Sequence, residues 1–368
     1  METNGNKHGC GGRLYSLDLL RGLDMLLLVV VGPFFAALNK TTPLPDWFMG
    51  QFRHNWGGFT LWDIIMPLYI FMCGAAVPFA LGRRLKEGRP GRAYWLHVLS
   101  RAALLWVLGM VAQGRLLSLD ILSINPFNNT LQAIAAGYIV AAAVFPVKSR
   151  RVRFAAPVVL ALVYSALLAF FGDYTMEGNA ATRFERWLLP LITPDGSRAL
   201  ALADPGYSWW ATIPMFGAMT LCGSAATEIL TADEPPVRRL ARLAAVGAAL
   251  LAAGWALAPV IPPIKHIYTL SFTAQAMGWC CLALATLYAL ADVLMLRRGT
   301  WLLILFGQTS LMAYMCHEFK PALRAFGGMF APGAEHLFGK GAAPLAVWFA
   351  SSALLVAILH VWRRAKSR

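Results

Sequence analysis

Residues 13–38 read RLYSLDLLRGLDMLLLVVVGPFFAAL, and this stretch decides the class of the molecule. From Ser16 to Leu38 it is apolar over the roughly 20 residues that a helix needs to cross the hydrocarbon layer. Inside lipid the backbone must hydrogen-bond within its own segment, so such a run is a helix. It is too long for the apolar core of a signal peptide and lacks a small-residue cleavage site, so the sequence predicts that it stays as a first span.

Working outward, blocks of the same kind recur at 60–82, 93–113, 128–146, 154–171, 208–227, 240–258, 268–292, 300–317 and 343–362. The chain is 58% hydrophobic and 14% charged, against about 45–50% and about 25% in a soluble domain. The expected fold is therefore all-α: a polytopic membrane helical bundle of about ten transmembrane helices. Residues 1–368 read as one membrane domain with a short tail at 1–12. No repeat or soluble domain interrupts it.

A net charge of +14 would suit nucleic acid, but its distribution does not. Most of the 32 Lys and Arg residues fall in short segments on one side, around Arg83, Arg84, Arg150, Arg238, Arg297 and Arg363. That asymmetry is the positive-inside pattern and places both termini in the cytoplasm. The expected partner surface is the bilayer, with no nucleic acid. None of the six cysteines has metal spacing, and no metal site is expected.

The chemistry-bearing residues collect on the far side. In QFRHNWGGFTLWDIIMPLYIFMCG (51–74), His54 precedes the second block and Asp63 lies just inside it. A carboxylate beside an imidazole holds one tautomer and makes a better base. Gly57 and Gly58 allow a turn that folds His54 back over Asp63. The plainer alternative is that Asp63 caps the helix and His54 is solvated. At the first span, Asp18, Arg21 and Asp24 are spaced so that Arg21 can reach either carboxylate, as a clamp or as part of a cavity for an anion. His317 and Glu318, then Lys265 and His266, then Asp204 and Tyr207 reach the same side as His54. Such convergence suits an active site or a transporter vestibule.

Set in order, these segments resemble the heparan-alpha-glucosaminide N-acetyltransferase family and its bacterial relatives. RLYSLDLLRG, the His54–Trp56–Gly57–Asp63–Pro67 segment, LQAIAAGY (131–138), DPGYSWWATIP (204–214), PPIKHIYTLSF (262–272) and GQTSLMAYMCHE (307–318) carry the likeness over most of residues 13–318. Departures are the two-residue step from His54 to Trp56, Gly32 and Thr309 where the family has asparagine, and Ala133 where it has arginine.

The resemblance implies a multi-pass acetyltransferase of a bacterial inner membrane. It would take acetyl-CoA from the cytosol as acyl donor and pass the acetyl group to an amino sugar or related glycan across the membrane. His54 is then the catalytic base or acetyl carrier and Asp63 its partner. Asp204, Lys265, Ser271, His317 and Glu318 would contact the acceptor. Arg21, Arg83, Arg84, Arg101 and Gln132 would hold the coenzyme, arginine being suited to phosphate. A homodimer is compatible with the lipid-facing helices. The rival expectations are a sugar or glycan-lipid carrier and a relative that binds without turnover.

Overall fold

The computed structural model describes residues 14–85, 89–113, 125–193, 195 and 207–367. Among them every regular element is a helix. Asp204 and the N-terminal tail lie outside the described residues.

Among the described residues eight helices are long and apolar enough to cross a membrane. They are α1 (Tyr15–Thr41), α2 (Leu61–Gly82), α3 (Arg92–Ala112), α5 (Arg150–Phe171), α7 (Ile213–Leu230), α8 (Pro236–Leu257), α9 (Leu270–Val293) and α14 (Ala343–Ser367). The chain is a membrane-embedded, multi-pass helical bundle. The predicted block at 128–146 forms α4 (Thr130–Val144), whose 15 residues rise about 22 Å, short of a full hydrocarbon thickness.

The predicted span at 300–317 is not one helix. It divides into α10 (Trp301–Gln308) and α11 (Ser310–Glu318). Thr309 leaves the helical region, and its hydroxyl bonds back to the Leu305 carbonyl at 2.7 Å, a bond that competes with the ladder and bends helices.

Two segments expected as long loops also contain helices. These are α6 (Ala180–Ile192), α12 (Lys320–Gly328) and α13 (Ala331–Phe338). Asn129 and Asn179 cap α4 and α6 through their side-chain oxygens, supplying acceptors for otherwise orphaned first-turn N–H groups.

The axis of the bundle is the α2–α7 pair, with 67% and 72% of their apolar windows buried, whereas α14 buries 11% and lines the lipid-facing edge. Glycines let the axial pair touch backbone to backbone. A Cβ on Gly74 would sit 1.7 Å from the Thr220 carbonyl oxygen, and one on Gly223 would sit 1.9 Å from that of Phe71. Helices in lipid associate through such close approach, because burial of apolar surface offers no drive there.

α1 contains a π-helical turn at Leu27–Val31. Pro33 follows, and a proline ring collides with the carbonyl four residues earlier, here Val29. The wider turn relieves that collision, and Trp348 Nε1 donates to the Val30 carbonyl at 2.9 Å. At the opposite end of α1, the Tyr15 and Ser16 N–H groups donate to Asp292 at 3.1 and 3.0 Å.

Candidate functional site

The site is built where the segment before α2 meets the segment before α9. Gly58 adopts φ +105°, a region open to glycine, and its N–H donates to the Pro263 carbonyl at 2.9 Å. This turn folds the 53–58 segment back over the start of α2.

Asp63 then divides its two oxygens. Oδ2 accepts from the Thr60 N–H at 3.0 Å and the Thr60 hydroxyl at 2.8 Å, closing a capping box on the first turn. Oδ1 lies 2.7 Å from His54 Nδ1. Both readings of Asp63 hold together: it caps the helix and it orients the imidazole.

Lys265 completes the cluster. Its Nζ is 3.5 Å from Asp63 Oδ1, and 3.1 and 3.3 Å from His54 Nδ1 and Nε2. A nitrogen nearly equidistant from both ring nitrogens is aligned with neither lone pair. Lys265 therefore acts as a charge against the ring and an ion-pair partner of Asp63. A ring that donates Nδ1–H to Asp63 keeps the lone pair of Nε2 for chemistry.

Only 4% of Lys265 is exposed. Burial pulls its pKa down to about 8, with Asp63 opposing the shift. His266 is likewise lowered to about 4, by burial first and then by Lys265, so it stays neutral near pH 7. It lies between Trp56 and Tyr207, 5.2 and 4.2 Å from their ring centres.

A cavity of about 390 Å³ opens on this cluster. His54, Lys265, His266, Tyr207, His317 and Glu318 all face it. Segments more than 250 residues apart in the chain are thus brought to one space. Tyr69, Tyr314 and Thr130 line it as well, and nothing in their spacing marks them in the sequence.

Glu185 of α6 is a further residue the sequence does not single out among its charged neighbours. Its buried carboxylate accepts from the Trp209 and Trp210 N–H groups at 2.8 and 2.5 Å. It fixes the strip beside Tyr207, and burial holds its carboxyl above the ordinary glutamate range.

Two expected ligand residues are placed elsewhere. Ser271 is fully buried at the start of α9, 3.4 Å from the Thr269 hydroxyl, and does not line the cavity. Gln132 has its amide occupied: Nε2 donates to the Pro126 carbonyl at 2.8 Å, and Oε1 accepts from the Asn128 N–H and Gln113 Nε2. It lies at the Thr130 end of α4, away from the arginines, and holds the chain entering that helix.

The arginines gather at the other end of the bundle. Arg21 lies in the first half of α1 and Arg84 just past the end of α2. The Arg101 guanidinium lies 5.0 Å over the Tyr138 ring. Arg83 is exposed just past α2. Arg21 pairs with Asp18 at 3.3 Å and makes no pair with Asp24. Among the described residues no cluster of His, Cys, Asp and Glu has the arrangement to hold a metal ion.

Neither the protein-family models nor the curated protein sequences match this chain.

Proposed function

We propose that the chain is a transmembrane acyltransferase. It takes an acetyl group from acetyl-CoA on the arginine-rich side and gives it to an amine or hydroxyl of an amino sugar or related glycan at the His54 cavity. The reading includes ten crossings, α4 and the α10–α11 pair among them, with both termini in the cytoplasm and a bacterial inner membrane as the location.

The observation that carries it is the Asp63–His54–Lys265 cluster facing a cavity. Nucleophile activation needs a base whose far nitrogen is fixed by a carboxylate, and His54 has that arrangement. Its Nε2 takes the proton from the acceptor as the acceptor attacks the thioester carbonyl. The C–S bond then breaks, and the thiolate leaving group takes up a proton. Lys265, 3.3 Å from Nε2, sets a positive charge where the carbonyl oxygen becomes negative, and such stabilisation is usually the largest single contribution to rate. Arg21, Arg84 and Arg101 offer the charge that coenzyme phosphates need.

Resemblance to the heparan-alpha-glucosaminide N-acetyltransferase family supports the same reading, with Gly32, Ala133 and Thr309 standing apart from its pattern. A carrier binds near the bilayer midplane between repeated halves. Here the titratable groups lie at helix ends, which favours an enzyme.

The test is His54→Ala. Acetyl-CoA-dependent transfer to an amino-sugar acceptor should fall by about 10²–10⁴-fold, the usual contribution of a positioned base, while thermal stability stays unchanged. Full turnover in that variant would sink the proposal.

A further inference from the structure

A second cavity opens beside the first, at the same end of the bundle. Its volume is about 400 Å³, and it lies between the second half of α1, α12 and α14. Its interior is apolar, formed by Val29, Ala37, Leu323, Val347 and Leu355. Lys40, Lys320 and Arg324 stand in its wall, and no carboxylate lines it.

Among the described residues, none of these three cations makes a salt bridge. The seat is firmly built. Gly327 brings α12 against α14 so closely that a Cβ there would lie 2.5 Å from the Val347 carbonyl oxygen. Ser351 of α14 donates to the Leu323 carbonyl of α12 at 2.8 Å.

Lys40, Lys320 and Arg324 are exposed around the mouth of this apolar cleft, so an anion arriving from outside can meet all three. Two lysines supply point charges and an arginine supplies a planar fork, which suits the tetrahedral oxygens of a phosphate. The apolar interior suits hydrocarbon. One ligand class satisfies both halves: a phosphate ester carried on an alkyl chain.

His317 lines this cavity and the His54 cavity alike. A head group attached to a phosphate held by Lys40, Lys320 and Arg324 is therefore separated from the His54 cavity by the His317 side chain that the two cavities share. We propose that this cavity binds the phosphate of an amphiphilic lipid, its chain on the apolar interior. Resting on the acyl-transfer reading, the further consequence is that the acceptor sugar arrives on such a lipid rather than free in solution.

Binding can be measured without any turnover, using the full-length protein in neutral detergent. Three probes separate the sources: dioctanoyl phosphatidic acid carries phosphate and chain, dioctanoylglycerol the chain alone, and inorganic phosphate the charge alone. The first should bind saturably, and the other two should not bind at the same concentrations. Replacing Lys40, Lys320 and Arg324 by Gln should weaken it by roughly tenfold per cation removed, as expected for loss of one charge-assisted contact each.

Ala36→Trp plugs the mouth without removing a cation and should abolish binding too, so the result stands even if the triple variant folds poorly. Dioctanoylglycerol binding as tightly would reduce the cavity to an apolar cleft. Phosphate binding as tightly would make the ligand soluble. Unchanged phosphatidic acid affinity in Ala36→Trp would move the site elsewhere. Any of these three overturns the proposal. His54→Ala should bind the lipid as the parent does, which keeps failure of this proposal distinct from failure of the acyl-transfer reading.

Discussion

Asp63 and Asp24 are both carboxylates sealed inside the bundle, with 1% and 0% of their surfaces exposed, yet their surroundings are opposite. Asp63 has the Thr60 cap, the His54 ring and the Lys265 ammonium around its two oxygens. Among the described residues neither Asp24 oxygen has a hydrogen-bond partner. Arg21, three residues away and able in principle to reach it, turns to Asp18 instead. A buried charge is costly unless paired and hydrogen-bonded. The two positions therefore differ in kind. Asp63 is one member of a balanced cluster, and each of its partners depends on it. Asp24 has nothing that would be stranded by its loss.

That contrast breaks or holds by substitution. The largest effect should come from Asp63→Ala. It removes the helix cap, frees the imidazole and leaves Lys265 as an uncompensated buried charge. Removing one partner of a buried pair costs about 3–5 kcal/mol, so thermal denaturation should show a large drop in midpoint and acetyl transfer should be lost. A stable Asp63→Ala protein would end the argument for a balanced cluster.

Lys265 gives the next effect, through pH. Its folded-state pKa of about 8 lies below the ordinary 10.5. Between those values the unfolded chain binds more protons, so stability contributed at this position rises with pH across the window. Turnover should do the reverse, falling as pH rises through about 8, because the ammonium beside the reacting carbonyl is lost. Lys265→Met should remove both trends and leave a slow, flatter rate profile. Parallel rather than opposed trends in the parent protein would count against the electrostatic role.

The smallest effect should be that of Asp24→Asn. Replacing a partnerless carboxylate with a neutral amide should change stability by no more than about 1 kcal/mol, or raise it. A loss as large as that of Asp63→Ala would show that Asp24 has a partner of equal weight, and the contrast would fall.

Much of the site was legible because it is short-range or chemically loud. His54, the glycine pair and Asp63 lie within ten residues. Lys265, His266, His317 and Glu318 are titratable groups at the ends of apolar blocks, where charge is conspicuous. The bundle was legible for the same reason, since hydropathy reports on membrane burial directly.

What was not legible depends on neighbours distant in the chain. The role of Glu185 is set by backbone N–H groups more than twenty residues away. Gln132 reads as a free amide until the chain at 126–128 wraps it. The break at Thr309 turns on one hydroxyl choosing a carbonyl. Tyr69 and Tyr314 are ordinary aromatic residues of apolar helices until the cavity forms between them.

The π turn of α1 has a consequence in evolutionary terms. Leu27–Val31 is the plainest sequence in the chain, LLVVV, and any one of its residues looks exchangeable for another. Its count is not. Leu28 faces the His54 cavity, while Val29, Pro33 and Lys40 face the neighbouring one. Deleting a single codon here would keep every property of an apolar span, yet close the wide turn to an ordinary α turn and drive the proline ring back into the carbonyl four residues before it. Descendants of this gene should therefore vary freely in the letters of that segment and hardly at all in its length.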